Sequence, residues 1–175
     1  MKPTTLCLII NEKNQILLGR KKRGFGAGKY NGFGGKKQDD ESFRACAVRE
    51  IFEEVSLVVK PEDLEPVALM NFQFPYEEEL NHINYTYIVR NYEGIPLESE
   101  EMEPQWFNFE DIPYEAMWKG DDMWIPKVLK GQLGHVLLIF GRDNDSVLYS
   151  EFKDVGELKE FDAVDSIREH LRHTK

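Results

Sequence analysis

The apolar and polar positions along this chain change period several times, and each change marks an element. Residues 4–10 are apolar and β-branched almost throughout, as in a largely buried strand, and Glu12-Lys13-Asn14 then turns the chain into a second strand over 15–20. Between 42 and 55 the period becomes helical: Phe43, Ala47, Val48, Ile51 and Val55 recur three and four apart, and Ser42 stands at the N-cap. Pro61 and Pro66 bracket a connector, after which residues 67–74 and 83–89 alternate as a strand pair with Glu77-Glu78-Glu79 as solvated charge at their turn. Residues 93–104 are acidic and proline-containing, hence a loop, and 105–109 form a short strand. The stretch 111–130 is helical in parts, broken by Pro113, Gly120 and Pro126. Residues 135–140 and 146–152 form a last hairpin around Asp143-Asn144-Asp145. Over 154–175, Leu158, Phe161, Val164, Ile167 and Leu171 keep helical spacing, which predicts a C-terminal helix packed on the domain with no evident chemistry. Strands on either side of one strong helix place the chain in the α/β class, as a mixed sheet with helices on both faces.

Composition narrows the picture. With 175 residues and 41% hydrophobic content the chain suits one ordinary domain, and no apolar run approaches a membrane span. Charge and proline come early at the N-terminus without a signal-peptide layout. Cys7 and Cys46 read as reduced thiols of a cytoplasmic protein; a disulfide between them is open on count alone, and no zinc spacing exists. A net charge of −10 argues against binding a nucleic-acid polymer. Yet Arg20, Lys21, Lys22, Arg23, Lys29, Lys36 and Lys37, seven of the 22 basic residues, follow one another with no acid between them. They are either a solvated loop or the positive mouth of a small-polyphosphate site, and their place just ahead of the first helix favours the mouth. Six glycines fall between Gly24 and Gly35 at neither Rossmann nor Walker spacing. Tyr30-Asn31-Gly32-Phe33 among them looks like a short strand that delivers Asn31, with its donor and its acceptor, to a pocket.

The first helix carries the candidate chemistry. At about 100° per residue, Glu50, Glu53 and Glu54 fall side by side, on the face expected to point away from the apolar stripe. Like charges so placed destabilise an isolated helix. They are either a solvated acidic face or ligands of a hard divalent cation, which takes oxygen ligands and shares them with phosphates. The flanks decide between these. Gly35, five residues, Glu41, seven residues, Arg49-Glu50, an aliphatic, one residue, Glu53-Glu54, one residue, a small residue and an aliphatic together resemble the Nudix box of hydrolases that act on nucleoside-diphosphate-linked substrates. One position departs: Ser56 stands where the family has a glycine, so a left-handed helix stop there would carry strain of about 1–2 kcal/mol.

The resemblance extends from about Thr4 to Val155. The stretch from Lys21 to Lys36, the segment Glu98-Ser-Glu-Glu-Met-Glu-Pro-Gln-Trp-Phe107 and the Met117-Trp118 region are similar to the MutT-homologue oxidised-purine nucleoside triphosphatases, the 8-oxo-dGTP diphosphatases. This implies an α/β/α sandwich over 1–155 with a C-terminal helical extension over 156–175. It implies Mg²⁺, with Mn²⁺ as a substitute, on Glu50, Glu53, Glu54, Glu101 and the carbonyl of Gly34. Catalysis would fall to Glu54, Glu53 and Glu50, with Arg49 orienting them. The nucleotide would meet Thr5, Lys21, Asn31, Phe33, Gly34, Gly35, Lys36, Trp118, Asp121 and Asp122. The first strand carries a one-residue ambiguity at Thr5. The acidic pair after Trp118 has slid by one, so Asp121 is matched while Gly120 or Asp122 takes the other place. Such a pair could share a proton and read a base edge with one donor and one acceptor. Trp124 suits core packing and Trp118 the pocket. The implied reaction is attack on a phosphorus by activated water, in a monomer that acts on a free nucleotide. The rival readings are another Nudix substrate and a non-catalytic Nudix-fold module.

Overall fold

The computed structural model describes residues 1–173. Its centre is the parallel pair of β1 (Lys2–Ile10) and β5 (His82–Val89), in register from Lys2 against His82 to Ile9 against Val89. β4 (Leu64–Gln73) runs antiparallel to β5 and parallel to β7 (Gly134–Phe140), and β8 (Val147–Asp154) closes that edge. On the other side β2 (Gln15–Lys21) pairs with β1 only at Leu17 and Ile16 before it diverges towards β3 (Tyr30–Asn31), while β6 (Met102–Asn108) pairs with β2 along its length. The order is β3-β2-β1-β5-β4-β7-β8, with β6 on β2.

The period of two along the strands sorts the core into two layers. Cys7, Ile9, Leu17, Leu69, Tyr85 and Tyr87 share one cluster with Phe43, Ala47, Ile51 and Val55 of α1 (Phe43–Val55). Leu8, Ile10, Ile16, Leu18, Met70 and Ile88 share the other with Trp124, Ile125 and Val128 of α2 (Asp121–Leu129). Helices thus cover both faces of a mixed sheet, the expected sandwich.

The gap that opens between β1 and β2 positions the site. The glycine-rich segment after β3 fills it: Phe33 bridges to Cys7, Lys36 bridges to Thr4, and the Thr5 N–H donates to the Gly35 carbonyl at 2.9 Å. Gly34 is pressed so close to β1 that a Cβ on it would lie 2.0 Å from the Thr5 carbonyl oxygen. A side chain there would force the two backbones apart.

Several boundaries differ from the sequence reading for local reasons. β4 starts at Leu64 and keeps Pro66 at a bulge, and β6 starts at Met102 and keeps Pro104 on an edge strand; both are places where a missing N–H does little harm. Pro126 does not break α2, because so near the N-terminus it removes one intrahelical bond at most. Ser56 does adopt the left-handed conformation, with φ 61° and ψ 22°, and its N–H donates to the Phe52 carbonyl at 2.9 Å. The C-terminal segment is helical only as α3 (Val164–His173). Leu158 and Phe161, expected on that helix, lie in the non-helical strap that precedes it, and Leu158 and Ile167 are buried in the α1-side cluster. Thr174 and Lys175, part of the expected extension, lie outside the described residues. Cys7 and Cys46 are both buried and unbridged. Among the described residues no helix is long and apolar enough to cross a membrane.

Candidate active site

α1 brings the acidic motif to the Gly34–Gly35 segment, though not on an outward face. Four residues advance a helix by one turn and about 40°, so Glu54 sits above Glu50, and Ala47 lies within about 60° of it. The two carboxylates therefore border the buried stripe rather than oppose it. Glu54 is only 7% exposed, and Phe52, 56% exposed, takes the outward position. The Gly34 N–H donates to Glu54 Oε2 at 3.3 Å. Burial, then the neighbouring charges of Glu50 and Glu101, push the Glu54 carboxyl up to about 8. Glu50 is also raised by burial, against the opposing pull of Arg49. Gly35 makes room for it, since a Cβ there would lie 2.6 Å from the Glu50 carboxyl carbon.

Arg49 organises these acids from one side. It donates to Glu50 Oε1 at 2.7 Å, to Glu53 Oε2 at 3.2 Å, to both oxygens of Glu41 at 2.7 and 3.1 Å, and to the Lys36 carbonyl at 3.2 Å. The Arg49 contact holds Glu41 down to about 2, and the same contact raises the guanidinium further above its ordinary value. Glu41, noted in sequence only as a spacing mark, thus fixes the rotamer of Arg49.

A cavity of about 410 Å³ opens over this cluster. Thr5, Lys21, Asn31, Gly34, Gly35, Glu50, Glu54, Glu101, Trp118 and Asp121 all line it, which brings together most of the residues singled out in the sequence. Asn31 turns its Oδ1 to the Gly32 N–H at 2.9 Å. Thr5 reaches the cavity, with its hydroxyl 3.5 Å from Cys46 Sγ. Asp121 is 5% exposed; its Oδ1 accepts the Trp124 indole N–H at 3.0 Å, while its Oδ2 is buried with no partner. Burial pushes this carboxyl up to about 7, with the Asp122 charge a lesser contribution. Trp124 is fully buried in the core and Trp118 lies on the cavity wall, 5.0 Å from the Phe25 ring and 5.0 Å from Lys29 Nζ.

Some of the expected residues are not brought to the cavity. Phe33 does not face the cavity: it is fully buried in the α1-side core, because residue 33 bridges to Cys7 and alternates inward. Asp122 is exposed and does not line the cavity, so Asp121 stands alone there and a proton-sharing pair is not formed. Lys36 and Glu53 do not line the cavity, and Arg49 reaches it only through its bonds to Glu50 and Glu53. The basic mouth is largely neutralised: Arg20 meets Glu103, Lys22 meets Glu98, Arg23 meets Glu100 and Glu101, and Lys29 meets Asp145. The acids that answer Arg20, Lys22 and Arg23 become neighbours because β2 pairs with β6, and Asp145, which answers Lys29, comes from the turn between β7 and β8. Sequence reasoning missed an aromatic group on the same wall, where Phe74 stacks on Phe140 at 4.6 Å and Phe72 on His82 at 4.4 Å. Ordinary strand alternation hid them, since a core aromatic and a pocket aromatic leave the same pattern.

Among the described residues no three acidic, histidine or cysteine side chains already converge as a cation cage. The donor set nevertheless fits a hard cation. Glu50, Glu54 and Glu101 line one cavity, the first two are raised by burial and by neighbouring carboxylates, and Gly34 lines the same cavity with its N–H on Glu54. Carboxylates short of positive charge, completed by carbonyl and phosphate oxygens, are what Mg²⁺ takes.

Comparison with known proteins agrees with this geometry. A model of the NUDIX domain matches residues 1–128. An oxidized purine nucleoside triphosphate hydrolase of Danio rerio is 45% identical over 129 residues, covering 74% of this chain and 80% of that protein. The protein of the same name from Mus musculus is 39% identical over 153 residues, covering 86% and 94%. A MutT protein from Bacillus halodurans has the same fold, with a TM-score of 0.74 at 24% identity over 87% of this chain and 97% of that one. The motif on α1, the sandwich that carries it and these matches lead to one conclusion: the chain belongs to the NUDIX family.

Proposed function

We propose that the protein hydrolyses oxidised purine (deoxy)nucleoside triphosphates, 8-oxo-dGTP among them, to the monophosphate and pyrophosphate, with Mg²⁺ as cofactor and Mn²⁺ as a substitute. The observation that carries the substrate class is Asp121. A buried carboxyl with one oxygen tied to Trp124 and the other unpaired, on the wall of the cavity that holds Glu50 and Glu54, asks for a polar partner from the ligand. A purine edge supplies one, and Trp118 and Phe25 offer ring faces against which a base can stack. The names of the fish and mouse relatives support the same class.

Glu50, Glu53, Glu54, Glu101 and the Gly34 carbonyl are the residues that would hold the cation. When bound, it lowers the pKa of water and stabilises charge on phosphoryl oxygens. The protein's own part is arrangement. Arg49 keeps Glu50 and Glu53 in place through one guanidinium nitrogen and leaves the second Glu50 oxygen free of it. Glu54, raised to about 8, gains from any positive charge brought next to it, so cation binding and its ionisation favour each other. Lys21 lines the cavity and faces the charge of a polyphosphate there. Asn31 and Asp121 read the base, and Gly34 and Gly35 let the backbone approach the phosphates. We place the protein in the cytoplasm, in keeping with its unbridged cysteines, and take it to act as a monomer. The Nudix unit spans 1–155, and 156–175 is an extension of it.

Steady-state kinetics with the four triphosphates 8-oxo-dGTP, 2-hydroxy-dATP, dGTP and dATP, and with a nucleoside diphosphate sugar, at fixed Mg²⁺ tests the reading. An oxidised purine should give the highest kcat/KM. Equal values for all four, or turnover confined to a nucleoside diphosphate derivative, would refute the substrate class.

A further inference from the structure

The chain beyond β8 lies outside the residues matched by the family model, and the reading above leaves it without a task. Its polar contacts converge on the start of α1. Asp162 Oδ1 accepts the N–H of Phe43, the first residue of α1, at 3.1 Å, beside the bond from Ala45 N–H to Ser42 Oγ at 3.0 Å. Glu160 grips Arg44, the next residue, through both oxygens: Nε lies at 3.2 and 3.3 Å and a terminal nitrogen at 2.7 Å. The same guanidinium donates to the carbonyls of Pro61 and Leu64 at 2.6 and 3.1 Å. The strap is also tied to β5. The Tyr87 hydroxyl donates to Glu160 Oε1 at 2.8 Å; that of Tyr85 donates to the Lys159 carbonyl at 2.9 Å and accepts the Phe161 N–H at 3.0 Å.

The apolar stripe turns one side of α1 to the sheet, but burial is non-directional and does not by itself fix the fine rotation of the helix about its axis. Directional bonds do. The Arg49 bonds outside α1 run to Glu41 and Lys36, in the loop that leads into the helix. The strap bonds reach α1 from β5 and from a distant part of the chain. We propose that Asp162 and Glu160 are positioning residues for the reaction: through Phe43 and Arg44 they set the rotation and axial position of α1, and so hold Glu50 and Glu54 against Gly34 and Gly35. This rests on α1 being the cation-bearing helix. A side-chain tip about 5–6 Å from the axis moves about 1 Å for a rotation of 10°. A misplacement of that size can cost about 10²-fold in rate.

The test compares Asp162→Ala and Glu160→Ala with Asp162→Asn, which keeps an acceptor for the Phe43 N–H, and with Asp165→Asn on the exposed face of α3 as control. Three quantities are read in each: kcat and KM for pyrophosphate release at saturating Mg²⁺, Mn²⁺ affinity by electron paramagnetic resonance, and amide hydrogen exchange over residues 50–56. Both alanine variants should lose about 10- to 100-fold in kcat with KM little changed. They should also bind Mn²⁺ more weakly and exchange faster over 50–56, and Asp162→Asn should restore all three. Wild-type kcat and exchange in both alanine variants, whatever their melting temperature, would mean that the strap only stabilises and would overturn the proposal. So would an asparagine that restores nothing. If the wild-type protein releases no pyrophosphate from any nucleotide, the functional reading fails, and Mn²⁺ affinity with exchange still decides whether the strap holds α1.

Discussion

Replacing Asp121 with asparagine should make the protein more stable and less selective, and the stability gain should depend on pH in a definite way. The Asp121 carboxyl rises from its ordinary 3.8 to about 7 in the folded protein because it is buried. Below pH 4 it is protonated in both states and contributes nothing to the pH dependence. Between 4 and 7 the folded state binds more protons than the unfolded one, so wild-type stability falls as pH rises; above 7 the loss is complete. Each pKa unit corresponds to about 1.4 kcal/mol, so the full loss is on the order of 4 kcal/mol. Asparagine carries no such charge and can still accept the Trp124 indole N–H through its Oδ1. Its amide group stays as unpaired as Oδ2 is now, so that cost is common to both proteins. The advantage of the variant should therefore grow by about 3 kcal/mol from pH 5 to pH 8, or about 6–12 °C in melting temperature for a chain of this size. Other titrating groups, Glu54 included, cancel in the difference. Urea unfolding of both proteins at pH 5, 6, 7 and 8 measures it. A stability difference flat to within about 0.5 kcal/mol across that range would refute the claim that burial raises the Asp121 carboxyl to about 7. In the same variant the ratio of kcat/KM for 8-oxo-dGTP and 2-hydroxy-dATP should shift by at least about tenfold, because the fixed amide presents one donor where the carboxyl could accept or donate.

Glu54→Gln should fold but lose about 10²- to 10⁴-fold in kcat, measured as pyrophosphate release at saturating Mg²⁺; near-wild-type turnover would remove Glu54 from the chemistry. Ser56→Gly should raise stability by about 0.5–1 kcal/mol, the relief of a left-handed serine less the entropy of glycine, and an unchanged midpoint in urea would contradict the φ of 61°. Gly34→Ala should fail to accumulate as folded protein, because its Cβ would meet the Thr5 backbone and not a movable side chain; a normal melting transition would count against that close approach. Ending the chain at Val155 should lower stability by several kcal/mol, since it removes the buried Leu158 and Ile167 at about 1.5–3 kcal/mol each, bares the core they cover, and exchanges the strap bonds of the Tyr85 and Tyr87 hydroxyls for water.

Local physics was enough to read much of this protein from its residues. The strands, α1 with its Ser42 cap and the acidic motif follow from periods of two and 3.6, and a spacing over so many fixed positions is hard to produce by any other constraint. Boundaries at Pro66, Pro104 and Pro126 were misread because the harm of a missing N–H depends on which edge, bulge or turn the proline occupies, and that is a property of pairing. The same limit applied to the site. Whether Glu54 was solvated or buried, whether Phe33 faced the pocket or the core, and whether the charges of 20–23 stood free or met the acids of 98–103 turned on how β1, β2, β6 and α1 sit against one another. The strap is the clearest case. Its apolar spacing was legible, but the bonds from Asp162 to Phe43 and from Glu160 to Arg44 join residues 119 and 116 positions apart. The sequence by itself determined which groups this chain has for its chemistry, because spacing along one helix is a local matter; only the tertiary structure decided which of them lose water and meet, because burial and opposing charge are set by distant parts of the chain.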